Sequence, residues 1–536
     1  MHYFKRVNRF FEEHTLHGEV NRDVRRMAKA VAKAAPKPDK NKIVVSFNAS
    51  TRIEGLSLNA AFAMLTGWSL RLQGVKVVNF LCQRGMTRCV LGTDQTDVRK
   101  VPPCQKCLNQ SGVIHSKSIL RKMDFYPTSD LAKSLQNLDL AKLRHFSYDG
   151  IPLGELCLPS MRWILRRHHL KDDHDTQILY SHYILSAYKV AIQFEHLLLE
   201  LNPTSVMVFN GMQFPEAAAR WMGRKFGTPV YSHEVGMRPY SVFFTEGEAT
   251  AYPVDISEDF QLTEPQNQKL DDYLSQRFKG VFSMAGVKFW PEMTGLDEDF
   301  IKKIASFQQV VPIFTNVIFD TSQPHANVIF SHMFAWLDKV LRVIKSHPET
   351  LFVIRAHPDE SRPGKASQES VADWVHSNSV EQLPNVIFVG PDVYFSSYEM
   401  IQRAKFVMIY NSTIGLEASI MGAPVLCAGK ARFTQLVTVF FPESQQAYLA
   451  QLESLLDAEK VLAPKEHQLN ARRFLYYQLY RTSLALDHYI EPDGIWPGFV
   501  KLKAFPWQDL LPENSASIRV ISEGLLDGKE FLMPNE

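Results

Sequence analysis

Short apolar runs of strand length alternate with stretches of helical period along this chain, most regularly between residues 309 and 427. Gln309 to Phe314, Leu351 to Ile354, Asn385 to Val389, Phe406 to Tyr410 and Val425 to Cys427 read as strands, since short apolar runs suit strands covered on both faces. Asn327 to Ser346, Ser396 to Arg403 and Gly415 to Met421 fall between them as helices, the last with Ile414, Leu416 and Ile420 inward. A β-α-β-α-β order predicts a parallel sheet with helices on both faces. The first half repeats the pattern less evenly. Ile43 to Phe47, Leu56 to Gln73 and Val75 to Leu81 predict a βαβ start without a GxGxxG fingerprint, so nothing there points to NAD or FAD. Thr176 to Leu201 predicts a long helix, followed by strand Ser205 to Phe209, helix Pro215 to Phe226 and strand Thr228 to Tyr231.

Between residues 108 and 175 the period is mixed, with Ser129 to Leu143 and Met161 to Leu170 the helical parts; residues 250 to 308 are polar and partly helical. After Phe433 the chain turns helical over Gln445 to Leu456 and His467 to Tyr489, and the tail beyond Trp496 shows no motif. The expected organisation is a basic extension and linker (1–42) and an N-terminal Rossmann-like domain with a Cys-containing insertion (43–250). An interdomain region (251–308), a C-terminal Rossmann-like domain (309–433) and C-terminal helices and tail (434–536) follow. The fold class expected is α/β, two Rossmann-like domains facing a cleft, with a helical C-terminal extension.

A length of 536 residues agrees with two domains plus extensions, and 45% apolar against 22% charged residues is the balance of a globular protein with ample core. The formal net charge of +2 gives no electrostatic reason to expect nucleic acid. No apolar run reaches the roughly 18 residues of a membrane span, and MHYFKRVNRFFEEH lacks a secretory apolar region, so a cytoplasmic protein is expected. The first 40 residues carry ten Lys or Arg and five Asp or Glu. A basic amphipathic helix there either packs on the protein itself, the favoured reading, or rests peripherally on the inner face of a membrane.

The candidate chemistry gathers where predicted strands end. Leu351 to Ile354 runs into Arg355-Ala356-His357-Pro358, which puts a cation and an imidazole at the carboxyl edge of the sheet, where open α/β sheets bind ligands. Phe406 to Tyr410 runs into Asn411-Ser412-Thr413, read as a helix start that attracts a phosphate, with Glu417 one turn on in reach of a ribose hydroxyl. In the first domain the loop Asn48-Ala49-Ser50-Thr51-Arg52 and the strand ends at Asn210 and at His233-Glu234 face the same way. A sugar hydroxyl needs a base to attack at neutral pH, and His233 or Glu234 is the candidate. Asn316, Asp320 and His325 are candidates for the cleft wall.

Cys82, Cys89, Cys104 and Cys107 follow a C-x6-C-x14-C-x2-C spacing. Its closing pair has the form of a zinc knuckle, so a structural zinc, free buried thiols and a redox pair all stay open. The basic run Arg162, Arg166, Arg167, His168 and His169 is read as a solvated face, the other reading being a contact for an acceptor bearing phosphate or carboxylate. Asp173-His174-Asp175 and Asp297-Glu298-Asp299 lie in polar stretches and read as solvated charge, not metal sites.

RAHP at 355–358, Ser396-Ser397 and NSTIGLEASIMGAPVLCAG at 411–429 together resemble the bacterial capsule polysaccharide biosynthesis glycosyltransferases. Those are two-domain enzymes of GT-B type, related in pattern to sialyl-, Kdo- and polyol-phosphate transferases with a His-Pro and a Ser/Thr donor motif. The resemblance is clearest over 309–433 and weaker over 203–250. It implies a nucleotide-sugar donor, closest in pattern to cytidine donors, and a saccharide or lipid-linked saccharide acceptor. Arg355 and His357 would hold the donor phosphates, Asn411, Ser412 and Thr413 would add donors, and Glu417 would meet the ribose. No metal would be needed for catalysis. Polyol-phosphate transfer, sugar-nucleotide 2-epimerisation on the same fold, and a non-catalytic role in polysaccharide assembly are the other readings.

Overall fold

The computed structural model describes residues 2–48, 53–278 and 294–535, with side chains from Thr15 onward. Of the loop read as cleft-facing, residues 49–52, and with them Arg52, lie outside the described residues.

The first domain is built on strands β1 (Asp39–Asn48), β2 (Val75–Cys82), β3 (Ile119–Met123), β4 (Ser205–Phe209), β5 (Val230–Val235) and β6 (Ser241–Glu246). The second has β7 (Gln309–Phe314), β8 (Thr350–Arg355), β9 (Val386–Val389), β10 (Val407–Ile409) and β11 (Val425–Cys427), and a two-residue strand β12 (Leu484–Ala485) comes late in the chain. The first sheet runs β12-β6-β5-β4-β1-β2-β3, parallel from β5 to β3, with β6 and β12 antiparallel at one edge. The second runs β11-β10-β7-β8-β9 and is parallel throughout. This is an α/β protein of two Rossmann-like domains in a GT-B-like arrangement.

Period-two alternation sends successive strand residues to opposite faces, and each face has its own core. In the first domain Val44, Val77 and Met207 join one cluster, while Val45, Phe47, Phe80 and Val208 join the other. Helix Leu58–Leu72 and helix Ala516–Asp527 cover the first face; helices Leu153–Leu165, His174–Leu201 and Phe214–Lys225 cover the second. In the second domain Val311, Ile313, Phe352 and Ile354 face one core, and Val310, Leu351, Val353 and Ile409 the other. The first helix, His2–Ala34, buries Val20, Val24, Ala28 and Val31 against the first domain and leaves Arg22, Arg25, Arg26, Lys29 and Lys33 exposed.

Several elements differ from expectation. β3 was not apparent because four of its five residues are exposed at a sheet edge. Ser129 to Leu143 is two short helices, Ser129–Ser134 and Leu140–Arg144. In the stretch read as interdomain, Leu296 and Phe300 pack in the second domain's core. The helix expected to Tyr489 stops at Tyr476, passes through a π turn to Arg481, and continues as β12 on the first domain's sheet. The chain therefore returns to the first domain, and helix Ala516–Asp527 in the motif-free tail seals its core.

Gly415 shows how tightly one motif is packed. A Cβ there would overlap Cδ1 of the buried Ile409 and lie 3.3 Å from Phe433 Cζ, so a larger residue would have to displace the Ile409 tip where helix Ile414–Ile420 meets β10. Gly415→Ala is expected to lower stability by about 1–3 kcal/mol, read as a drop in the urea midpoint without a change in slope.

Candidate active site

In each sheet the chain reverses its order of strand addition beside the central strand, β1 against β4 and β7 against β10, and these switch points open the crevices where α/β sheets take ligands. Both lead into one cavity of about 890 Å3 lined by both domains. From the first come Asn48, Asn210, His233 and Glu234; from the second Asn316, Asp320, Arg355, His357, Asn411, Ser412, Thr413 and Glu417. The strand-end candidates that the sequence singled out, the undescribed Arg52 aside, are thus brought together, though they do not all stand in the roles expected.

On the first domain's wall, Asn210 ends β4 in the left-handed region (φ 60°), a conformation asparagine tolerates. Its Nδ2 donates to Glu234 Oε2 at 2.8 Å, and the Val235 N–H donates to Oε1 at 2.9 Å. Burial raises the carboxyl's pKa above its ordinary value, with Asp320 across the cleft adding a smaller push in the same direction. His233 is different. It sits between Phe209 and Phe244, with ring centroids 5.9 and 5.4 Å away, its Nδ1 is buried without a partner, and burial lowers its pKa to about 3. An imidazole so reluctant to take a proton makes a poor base, so of the two candidates Glu234 fits the task. Asn48 is anchored by its Nδ2 on Ser46 Oγ at 2.8 Å.

On the second domain's wall, Arg355 ends β8 only 4% exposed. Its guanidinium makes no hydrogen bond or ion pair with the described residues, Nη1 is buried unpartnered, and burial lowers its pKa to about 10. His357 accepts the Asp359 N–H on Nδ1 at 3.1 Å, which places the proton of the neutral ring on Nε2; burial lowers its pKa as well. The Asn411 N–H donates to Asn316 Oδ1 at 3.2 Å across the switch point, and Gln323 Nε2 donates to Asn411 Oδ1 at 3.1 Å. Helix Ile414–Ile420 has only seven residues, and Thr413 makes no capping hydrogen bond, so the anion-attracting helix start expected at this corner is slight. The charge comes from Arg355.

The ribose role expected of Glu417 meets a prior engagement. Arg277 donates to its Oε1 from Nε (2.9 Å) and Nη2, and the Tyr398 hydroxyl donates to Oε2, with Arg277 and Glu417 both buried. Such a buried pair is held for both partners, because removing one strands the other's charge.

The structure also corrects the basic run. Helix Leu153–Leu165 ends at Arg166 in the left-handed region (φ 56°), and Arg166 and His168 are buried, while Arg162 Nε donates to the His168 carbonyl at 3.1 Å. The run turns inward because the second domain packs over it: His168 and His169 N–H groups donate to Glu369 at 2.8 and 3.0 Å. Arg166 lines the cavity, as do Arg362, Lys365 and Glu216, none of which a strand-end rule selects. Glu216 is a carboxyl on helix Phe214–Lys225 that burial pushes up to about 8.

Among the described residues no three His, Cys, Asp or Glu side chains meet in a metal-binding group. All four insertion cysteines are free of disulfides, with Cys104 and Cys107 on one helix (Cys104–Ile114), and burial pushes the Cys89 thiol up to about 12, with smaller pushes in the same direction from Cys82, Cys107 and Cys104. Asp173 and Asp297 are helix N-caps, accepting the N–H groups of Thr176 and Phe300.

Residues 296–436 match the family model described as capsule polysaccharide biosynthesis protein. No curated protein matches the chain. Among solved structures, the β-Kdo 2,4-transferase of Thermosulfurimonas dismutans KpsC is 11% identical with a TM-score of 0.35, covering 52% of this chain and 80% of its own. The β-Kdo 2,7-transferase of the same protein is 14% identical with a TM-score of 0.30, over 53% of this chain and 80% of its own. MnaA of S. aureus, solved with UDP, is 12% identical with a TM-score of 0.27, over 82% and 95%. These likenesses are distant, and the fold assignment stands on the chain's own two sheets.

Glu216 makes stability depend on pH. Its folded pKa of about 8 exceeds the ordinary 4.5, so between those values the folded chain holds a proton that the unfolded chain has released, and stability falls as pH rises. Glu216→Gln is expected to flatten the decline by up to about 1.4 kcal/mol per pH unit within that window, measured by urea denaturation at a series of pH values. The segment 296–436, which holds both strand-end motifs of the second domain, is the part of the chain that is similar to the capsule polysaccharide biosynthesis family.

Proposed function

We propose that the protein is a glycosyltransferase of capsule or surface polysaccharide synthesis, moving a sugar from a nucleotide-activated donor to a saccharide or lipid-linked saccharide acceptor in the interdomain cleft. The observation that carries this reading is the Arg355 guanidinium, a buried cation with no partner among the described residues at the mouth of a nucleotide-type switch point. A buried charge without a counter-charge is costly, and a donor phosphate would supply one. His357, with its proton on Nε2, adds a neutral donor, and the Ser412 and Thr413 hydroxyls line the same wall.

The chemistry follows from these positions. Glu234 takes the proton of an acceptor hydroxyl while that oxygen attacks the anomeric carbon. The bond from that carbon to the phosphate oxygen breaks, and Arg355 and His357 stabilise the charge left on the nucleotide. The chain's own cations perform this stabilisation, so no metal requirement is expected. No described helix is long and apolar enough to cross a membrane; a lipid-linked acceptor would be met peripherally, through the exposed basic face of the first helix.

Sugar-nucleotide 2-epimerisation keeps a place as a second reading, because Glu216, Glu234, Asp320, Asp359 and Glu417 all line the cavity and such a reaction needs acids around the donor site. Asp359 stands 3.4 Å from Arg362 and Glu417 is held by Arg277, which leaves three to act.

The test is thermal stabilisation by CMP, CDP, UDP and GDP. One nucleotide at ~100 times its dissociation constant should stabilise the protein by about 2.7 kcal/mol. Arg355→Gln should weaken that binding about 10- to 100-fold while leaving the nucleotide-free melting temperature unchanged or higher, since it removes an unpaired buried charge. Absence of a shift from every nucleotide would overturn the reading. Solvent deuterium entering the matching nucleotide sugar without an acceptor would replace transfer with epimerisation.

A further inference from the structure

Away from Arg355, the same cavity holds a second concentration of positive charge, assembled from both domains. Arg166 comes from the first. Its guanidinium lies 4.3 Å from the Trp163 ring centroid and 5.0 Å from that of Phe319, which belongs to the second domain. With the Gln95 amide turned to suit its donors, the Gln95 oxygen accepts from Arg166 Nη2 at 2.7 Å and Nε at 3.2 Å. Arg166 Nη1 is buried and unpartnered, and the residue is 4% exposed. The side chain is therefore fixed in direction by two rings and an amide, with one donor edge unused.

Arg362 and Lys365 face it from the loop that follows Pro358 in the second domain, and all three line the cavity. The backbone draws them together: the Gln368 N–H donates to the Arg166 carbonyl at 2.8 Å, and Arg166 Nη2 reaches the Gly364 carbonyl at 3.4 Å. Glu369, just beyond, accepts from both His168 and His169. This seam holds like charges close across a domain boundary, which costs free energy unless an anion joins them. Among the described residues that line the cavity, Asp359 lies 3.4 Å from Arg362, and Asp320, exposed on the cleft wall, acts with it on Lys365, so these two carboxylates face three cations. The imbalance is felt: burial and then Arg362 lower the pKa of both Arg166 and Lys365.

We propose that Arg166, Arg362 and Lys365 form a second anion subsite that binds the carboxylate or phosphate of an acidic saccharide acceptor and, by bridging the two domains, favours the closed cleft. An arginine with a fixed plane suits either group, because both offer paired oxygens to its fork. The word acceptor rests on the transferase reading; the anion subsite does not.

The experiment measures thermal stabilisation by D-glucuronate, D-glucose 1-phosphate and D-glucose, each with and without the best nucleotide of the panel. The two acidic sugars should add a shift to the nucleotide-bound protein, and glucose should add none. The double variant Arg362→Gln/Lys365→Gln, changed at positions on the cleft surface, should bind the acidic sugars about 10-fold more weakly or worse and keep its nucleotide shift. Arg355→Gln should do the reverse. Arg166→Lys, which keeps the charge and loses the fork, should also weaken the acidic sugars. The larger response between glucuronate and glucose 1-phosphate tells carboxylate from phosphate. No added shift from either acid, an equal shift from glucose, or full retention in the double variant would overturn the subsite. A nucleotide-independent response to the acids that the double variant loses, with no response to any nucleotide, would sustain the subsite while removing the transferase reading.

Discussion

A parallel sheet leaves an open crevice only where the connections of two neighbouring strands run to opposite faces, and both sheets of this chain turn that crevice toward the same cavity. Strand residues before the end are committed to one core or the other, so the first positions free for chemistry are those at or just past the carboxyl ends of β4, β5, β8 and β10. Asn210, Glu234, Arg355, His357 and the 411–413 triplet stand there. The late return of the chain through β12, with helix Ala516–Asp527 behind it, ties the far end of the chain to the first domain's sheet.

Within the cavity, charges are treated in two ways. Arg277 and Glu417 are buried together and satisfy each other, which fixes the geometry of the corner and leaves little charge for a ligand. Arg355 and Arg166 are equally buried but keep a guanidinium edge unused. The first arrangement is a contribution to the fold; the second is a cost carried by the fold that a bound anion would relieve.

Much of this was legible in the sequence because apolar runs and their terminating residues are local signals. The parallel order of residues 309 to 427 and the positions of RAHP and NST follow from period and punctuation alone. What misled was partnership. His233 and Glu234 look alike as bases at one strand end, yet one points among phenyl rings and the other accepts from Asn210. Glu417 has ribose spacing from the triplet, but Arg277 lies 140 residues earlier and claims it. The basic run at 162–169 has the composition of a solvated face and becomes part of a domain seam only because residues near 369 pack on it.

The sequence by itself determined the α/β class, the doubled Rossmann-like plan and the strand-end residues, because hydrophobic period and strand-ending punctuation act over a few residues at a time. The tertiary structure alone decided which of those side chains keep an unused donor, which are spent on ion pairs, and which cations from distant segments meet. Burial and electrostatic pairing depend on neighbours in space, and a one-dimensional pattern carries no record of them.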